Sequence, residues 1–157
     1  MRKINFILFT FLAAMLFIPK TEALTESASF QMKQLAARGV YSWIRAINTE
    51  LYDSSTTWLS HNLTITGLYD SNQARTSKNI NVKLFRRDSV NDSEDSAVSA
   101  ISSNILVPSS GTLSLNLANY FSEILLREPG YFEMMIRVGN FLNGEVHYIS
   151  GTWTITG

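Results

Sequence analysis

Beyond Leu51 the chain is a series of short runs in which apolar and polar residues alternate, separated by polar, Gly- or Pro-bearing turns. Leu59, His61, Leu63, Ile65 and Gly67 share one phase, which directs Leu63 and Ile65 to a core. Ile80, Val82 and Leu84 alternate with Asn79, Asn81 and Lys83, a strand with a wet outer face. Runs at Ile101 to Val107 and at Leu113, Leu115 and Leu117 follow, and Phe132, Met134, Ile136 and Val138 then oppose Glu133, Met135 and Arg137. A period of two broken by turn residues predicts antiparallel strands. Pro108-Ser109-Ser110-Gly111 and Glu128-Pro129-Gly130 read as turns, because Pro presets φ and Gly accepts φ above zero. Asn143-Gly144 predicts a hairpin joining the strand that ends at Val138 to Glu145 through Ile149. Gly151 predicts a bulge or bend before Thr152 to Thr156, and Asn119 to Arg127 a helical turn or crossover.

The segment before Leu51 carries two patterns. Ala36, Val40, Trp43, Ile44, Ile47 and Leu51 fit one helical face, whereas Phe30 and Met32 alternate with polar neighbours and Val40 to Ile47 is rich in aromatic and β-branched residues. The reading taken is a short helix or irregular arm over Ser27 to Arg38, a turn at Gly39, and a first strand across Val40 to Ile47. The fold class is therefore mainly β: an antiparallel two-sheet sandwich of about seven strands, with an N-terminal arm or short helix within residues 24–39. Leu113 to Leu117, the corner Glu128-Pro129-Gly130-Tyr131, the strand Phe132 to Val138, the Asn143-Gly144 hairpin and the closing Gly151-Thr152-Trp153-Thr154-Ile155 resemble the last strands of an immunoglobulin-like or fibronectin-type sandwich. That resemblance implies an adhesion, scaffold or recognition role and supplies no catalytic residues.

The start of the chain changes the compartment. Met1-Arg2-Lys3 precedes a nearly unbroken apolar run from Ile4 to Ile18, and Thr21-Glu22-Ala23 offers small residues three and one before a cleavage point after Ala23. Residues 1–23 read as a secretory signal and 24–157 as a single domain, placed outside the cell, in the periplasm or at the cell surface. The run is shorter than the roughly 20 residues that span a bilayer, so no transmembrane helix is expected after cleavage. An exported chain with 0 cysteines suits a bacterial source better than a eukaryotic one, and it excludes a disulfide scaffold, a Cys-ligated metal and a Cys nucleophile. The balance of 13 basic and 13 acidic residues argues against nucleic-acid binding.

Candidate chemistry is sparse. His61 and His147 lie on predicted strands among apolar neighbours, with no spacing that suggests a metal pair or a general base, and no phosphate loop or nucleophile elbow is present. Asp88, Asp92, Glu94 and Asp95 form an acidic loop whose oxygens suit Ca²⁺, although Arg86 and Arg87 at its edge can neutralise them. Trp58, Tyr69 and Trp153 are the aromatic candidates for stacking on a sugar or anchoring a protein partner. An open sandwich also has edge strands, and the arm has the alternation needed for self-association by strand addition or for packing on its own domain. The first reading is an exported, non-enzymatic recognition, adhesion or assembly module using loops and an edge strand, with a protein or glycan partner. The rivals are a calcium-dependent binding domain and a small secreted hydrolase without a linear motif.

Overall fold

The computed structural model describes residues 25–35, 41–49, 59–93, 97–139 and 145–157. The signal segment, Gly39, Trp58, Glu94, Asp95 and Asn143-Gly144 lie outside them. The described strands are β1 (Thr25–Leu35), β2 (Ser42–Asn48), β3 (Ser60–Tyr69), β4 (Lys78–Arg87), β5 (Val98–Ile101), β6 (Ile105–Val107), β7 (Leu113–Asn116), β8 (Tyr131–Val138) and β9 (Val146–Thr156). Between β7 and β8 run a 3-10 turn, Leu117–Asn119, and a short helix α1, Glu123–Leu126. Sheet I has the order β1-β9-β3-β7, and sheet II has the order β2-β8-β4-β5 with β6 also on β4. Among the described residues no helix is long and apolar enough to cross a membrane.

Pairing is nested: β1 with β9, β2 with β8, β3 with β7, and β4 with both β5 and β6. The chain is in effect one long hairpin rolled up, and the rolling adds the pairs β3–β9 and β4–β8. This is jelly-roll connectivity in two open sheets, with β1 and β7 at the edges of sheet I and β2 and β5–β6 at those of sheet II. It corrects the expected hairpin after Val138, because β8 lies in sheet II and β9 in sheet I. The strands turn mainly apolar faces inward, and these bury against each other across the sandwich. A turn signal is local and does not choose the sheet its flanks enter.

The expected helix or irregular arm is also overturned, because Thr25 to Leu35 pairs with β9 residue for residue without a register break. Phe30 is buried and Ala28 and Met32 are partly buried on its inner face, so tertiary pairing outweighs the helical spacing further along the chain. Residues 25–35 of the arm thus pair within their own domain. Gly151 is not a bulge: β9 keeps strict alternation through it, and the irregularity lies opposite, between Ile65 and Gly67 of β3. A side chain at Gly151 would place Cβ 2.2 Å from the Thr64 carbonyl oxygen and 2.7 Å from the Phe30 ring, and close backbone approach is what requires glycine there.

The core is the meeting of the two inner faces. Leu63, Ile80, Val82, Leu84, Phe132, Met134, Ile136, Val138, Trp153 and Ile155 are fully enclosed. The end of β2 is pinned by a reciprocal clamp: the Thr49 N–H and Oγ1 both donate to the Gly130 carbonyl at 2.9 Å, and the Gly130 N–H donates back to Oγ1 at 3.0 Å. Thr49→Val keeps the shape and removes the hydroxyl, leaving the Gly130 amide buried without its acceptor. We expect a loss of about 1–3 kcal/mol in urea unfolding.

Candidate functional site

The alternation that builds the core also fixes what the two outer faces display. On sheet I the outward positions of β1 are Thr25, Ser27, Ser29, Gln31 and Lys33, and in register on β9 stand Thr156, Thr154, Thr152, Ser150 and Tyr148. β3 and β7 continue two of these rows with Asn62 and Asn116, and with Thr64 and Ser114. Neighbouring hydroxyls bond across the strands: Ser27 with Thr154 at 2.9 Å, Ser29 with Thr152 at 3.3 Å, Thr64 with Ser114 at 3.2 Å, and Thr66 with Ser150 at 3.2 Å. Lys33 is the one charged residue among these outward positions. Tyr69 ends the face, paired with Tyr148, and its ring lies over Gly67 with the Arg75 guanidinium 5.5 Å from its centroid.

Sheet II presents different chemistry. Lys83 lies over Phe85 at 4.5 Å, Arg87 over Tyr131 at 4.8 Å and Arg137 over Tyr41 at 5.0 Å. Arg87 also pairs with Glu133 at 3.3 Å, and Arg137 donates to Asn81 at 3.0 Å, so these cations are held against the sheet. Of the large apolar side chains left exposed, Val98 (42%), Ile101 (54%) and Leu106 (61%) lie on the β5–β6 edge and Trp43 (49%) on β2 at the other edge. The β5–β6 edge is kinked at Ser102, which is buried and bonded twice to Val82: its N–H donates to the Val82 carbonyl and its Oγ accepts from the Val82 N–H, both at 2.9 Å.

The structure scatters the residues singled out in the sequence. Trp153 is 0% exposed and belongs to the core, which corrects its assignment as a displayed ring; its phase with Ile149 and Ile155 was masked by reading Gly151 as a bend. Tyr69 does stand on an outer face, half-buried. Asp88 pairs with Arg86 at 2.9 Å, and Asp92 accepts from the Ser89 N–H at 2.8 Å. Among the described residues no three His, Asp or Glu converge to hold a metal. Trp43 is the aromatic the sequence reading passed over, and the available signal was its shared phase with Tyr41 and Arg45 on a strand.

Both histidines are enclosed. His61 Nε2 donates to the Leu126 carbonyl at 3.2 Å, its ring meets Phe132 edge-on at 4.7 Å, and its Nδ1 is buried with no partner among the described residues. Burial pushes its pKa down to about 4, only partly offset by the Leu126 bond, so the imidazole is neutral. His147 Nε2 donates at 3.2 Å to the Glu145 oxygen that also receives Lys78 at 3.3 Å. The His147 bond, reinforced by Lys78, holds the Glu145 carboxyl below its usual range. This trio borders a cleft of about 230 Å³ beside Asp70, whose Oδ1 is taken up by the Asn72 and Ala74 N–H groups.

No protein-family model matches the chain, and no curated protein matches it. Solved structures do. The chain is similar to the infectious bursal disease virus VP2 subviral particle, with 12% identity over 87% of this chain and 33% of that one and a TM-score of 0.52. It is similar also to the structure of the infectious bursal disease virus Gx strain, with 14% identity over 86% of this chain and 32% of that one and a TM-score of 0.50. The chain spans about a third of the length of these proteins. At such identities the likeness is one of fold, and it agrees with the two-sheet antiparallel sandwich.

Proposed function

We propose that this chain is an exported, non-enzymatic assembly module that joins a second copy of itself through the β5–β6 edge of sheet II. The observation that carries the reading is the apolar character of that edge, with Val98, Ile101 and Leu106 exposed on it. Edge strands are blunted by short length, bulges, lysine, proline or an inward charge; this edge is short and broken at Ser102, but neither Val98–Ile101 nor Ile105–Val107 contains lysine, proline or an inward charge. Addition of a strand to the free side of β5 supplies main-chain hydrogen bonds, and the exposed aliphatic side chains add buried area. A two-fold pairing of β5 with itself is the simplest closed arrangement. The likeness to a protein that forms a subviral particle supports assembly as one use of this fold, not as a property of these residues. The enclosed histidines, one a neutral ring in the core, favour a binding role over hydrolysis.

Sedimentation velocity over a range of concentrations tests the reading. The protein is expected to pass from monomer to dimer as concentration rises, and Ile101→Lys with Leu106→Lys is expected to keep it monomeric with an unchanged circular dichroism spectrum. A monomer at every concentration, or association indifferent to the two lysines, overturns it.

A further inference from the structure

The outer face of sheet I is remote in chemistry from the β5–β6 edge and carries a separate inference. A shallow open groove of about 520 Å³ crosses it, with Ser29, Gln31, Thr66, Ser150 and Thr152 on its polar lining and Arg45 at its side. Two of the cross-strand hydroxyl pairs, Ser29 with Thr152 and Thr66 with Ser150, lie in this groove. A hydroxyl has one proton and two acceptor positions, so each such pair consumes one donor and leaves a second O–H and lone pairs directed to solvent. The lining therefore offers alternating donors and acceptors at strand spacing on short, β-branched or small side chains that lose little entropy on binding.

Arg45 gives the groove its sign. Its Nε donates to the Ser29 carbonyl at 3.3 Å, which ties the guanidinium to the edge of β1. No carboxylate pairs with it among the described residues, which leaves its two terminal nitrogens without an acidic partner there. A guanidinium is complementary to a carboxylate, which it receives through two parallel hydrogen bonds. Lys33 stands on the same face, and Tyr148 at its end provides a ring of the kind on which sugars stack. No acidic side chain occupies the outward positions of β1, β9, β3 and β7 in these rows. Hydroxyls facing hydroxyls, a guanidinium able to receive a carboxylate and a groove open along the sheet together match a polymer that carries all three complements.

We propose that the outer face of sheet I binds a carboxylated polysaccharide, a chain of uronic acid units, with Arg45 receiving the carboxylate and the Ser29, Thr152, Thr66 and Ser150 hydroxyls receiving the sugar hydroxyls. This site is independent of the assembly edge, so either proposal stands if the other falls.

Isothermal titration of the full protein with polygalacturonate, alginate and hyaluronan, alongside methyl-esterified polygalacturonate and inorganic polyphosphate, tests it. At least one uronate polymer is expected to bind, with the methyl ester weaker by about tenfold or more, as the loss of a charge-assisted pair requires. Arg45→Gln and Thr152→Val are each expected to weaken binding, Arg45→Gln by about tenfold. Lys83→Gln removes the same charge from the opposite sheet and is expected to bind as the parent does. Arg45 is exposed, so its replacement leaves the core intact. Binding to none of the three uronates overturns the proposal. So does equal binding of ester and acid, equal binding of polyphosphate, or an Arg45→Gln variant that binds like the parent.

Discussion

Trp153→Ala is expected to cost about 3–5 kcal/mol in chemical unfolding, the largest single effect anticipated in this fold. The indole lies on the inner face of β9, fully enclosed, and stands 6.1 Å from His61, which itself packs on Phe132 of the opposite sheet. Alanine leaves a cavity that the strands flanking β9 cannot close, since β1 and β3 are paired to it along its length. Against a total stability of about 5–15 kcal/mol, such a loss takes a large part of the folded population. Trp153→Phe separates packing from polarity. The indole Nε1 is buried without a hydrogen-bond partner among the described residues, and phenylalanine removes that donor along with part of the volume. We therefore expect Phe to cost less than half as much as Ala. Equal costs would show that the N–H is satisfied in solution and that its bond matters as much as the ring.

His61 makes stability fall in acid. Its pKa in the folded protein is about 4, against 6.5 for an unperturbed histidine, because the charged ring would be buried. Between those values the unfolded chain binds a proton that the folded one does not, so stability rises with pH across the window. It is complete above about pH 6.5, declines as the pH drops, and reaches a lower plateau below about pH 4. The whole step corresponds to roughly 3 kcal/mol, from 1.36 kcal/mol for each pKa unit. Urea unfolding measured from pH 4 to 7 is expected to show this slope, and His61→Gln, which retains a donor for the Leu126 carbonyl, is expected to flatten it. A slope unchanged in His61→Gln would place the titration elsewhere, with Glu145 the first alternative at the acid end, since its depressed carboxyl also loses its contribution as the pH falls.

Much of the sandwich is legible in the alternation. Leu63 and Ile65, the Ile80, Val82 and Leu84 run, and the Phe132 to Val138 run all bury as their phase requires. A period of two assigns faces, but it carries no information on which strands pair, and in this fold nearly every pair is distant in sequence. That is why the hairpin expected after Val138 becomes a passage between sheets, and why the immunoglobulin-like order gives way to nested pairing. The Ser27 to Arg38 segment misleads for a related reason: its strand exists because β9 supplies a complete ladder, a partner more than a hundred residues away in register at Ser27 and Thr154.

The surfaces are legible only in part. Tyr69 is found where a displayed ring was expected, whereas Trp153 is enclosed, because one glycine was read as a break in phase. The hydroxyl rows of sheet I are invisible along the chain: Ser29, Thr64, Ser114 and Thr152 become neighbours only through three strand pairings. Arg86 shows the limit from the other side, since it follows Ile80, Val82 and Leu84 in the inward phase and is buried at the end of the sandwich, paired with Asp88 and with Glu128 at 3.4 Å.

Assembly through the β5 edge is the central claim, and the absence of cysteine from the sequence allows it to be tested at a single position. Ser99 lies mid-strand on exposed β5, while Thr154 lies on the outer face of sheet I. The measurement is the rate of disulfide-linked dimer formation under mild oxidation for Ser99→Cys and, separately, Thr154→Cys. Edge pairing predicts rapid, nearly complete cross-linking at Ser99→Cys that Ile101→Lys suppresses, and little at Thr154→Cys. Cross-linking that is equally slow at both positions, or insensitive to Ile101→Lys, would contradict it.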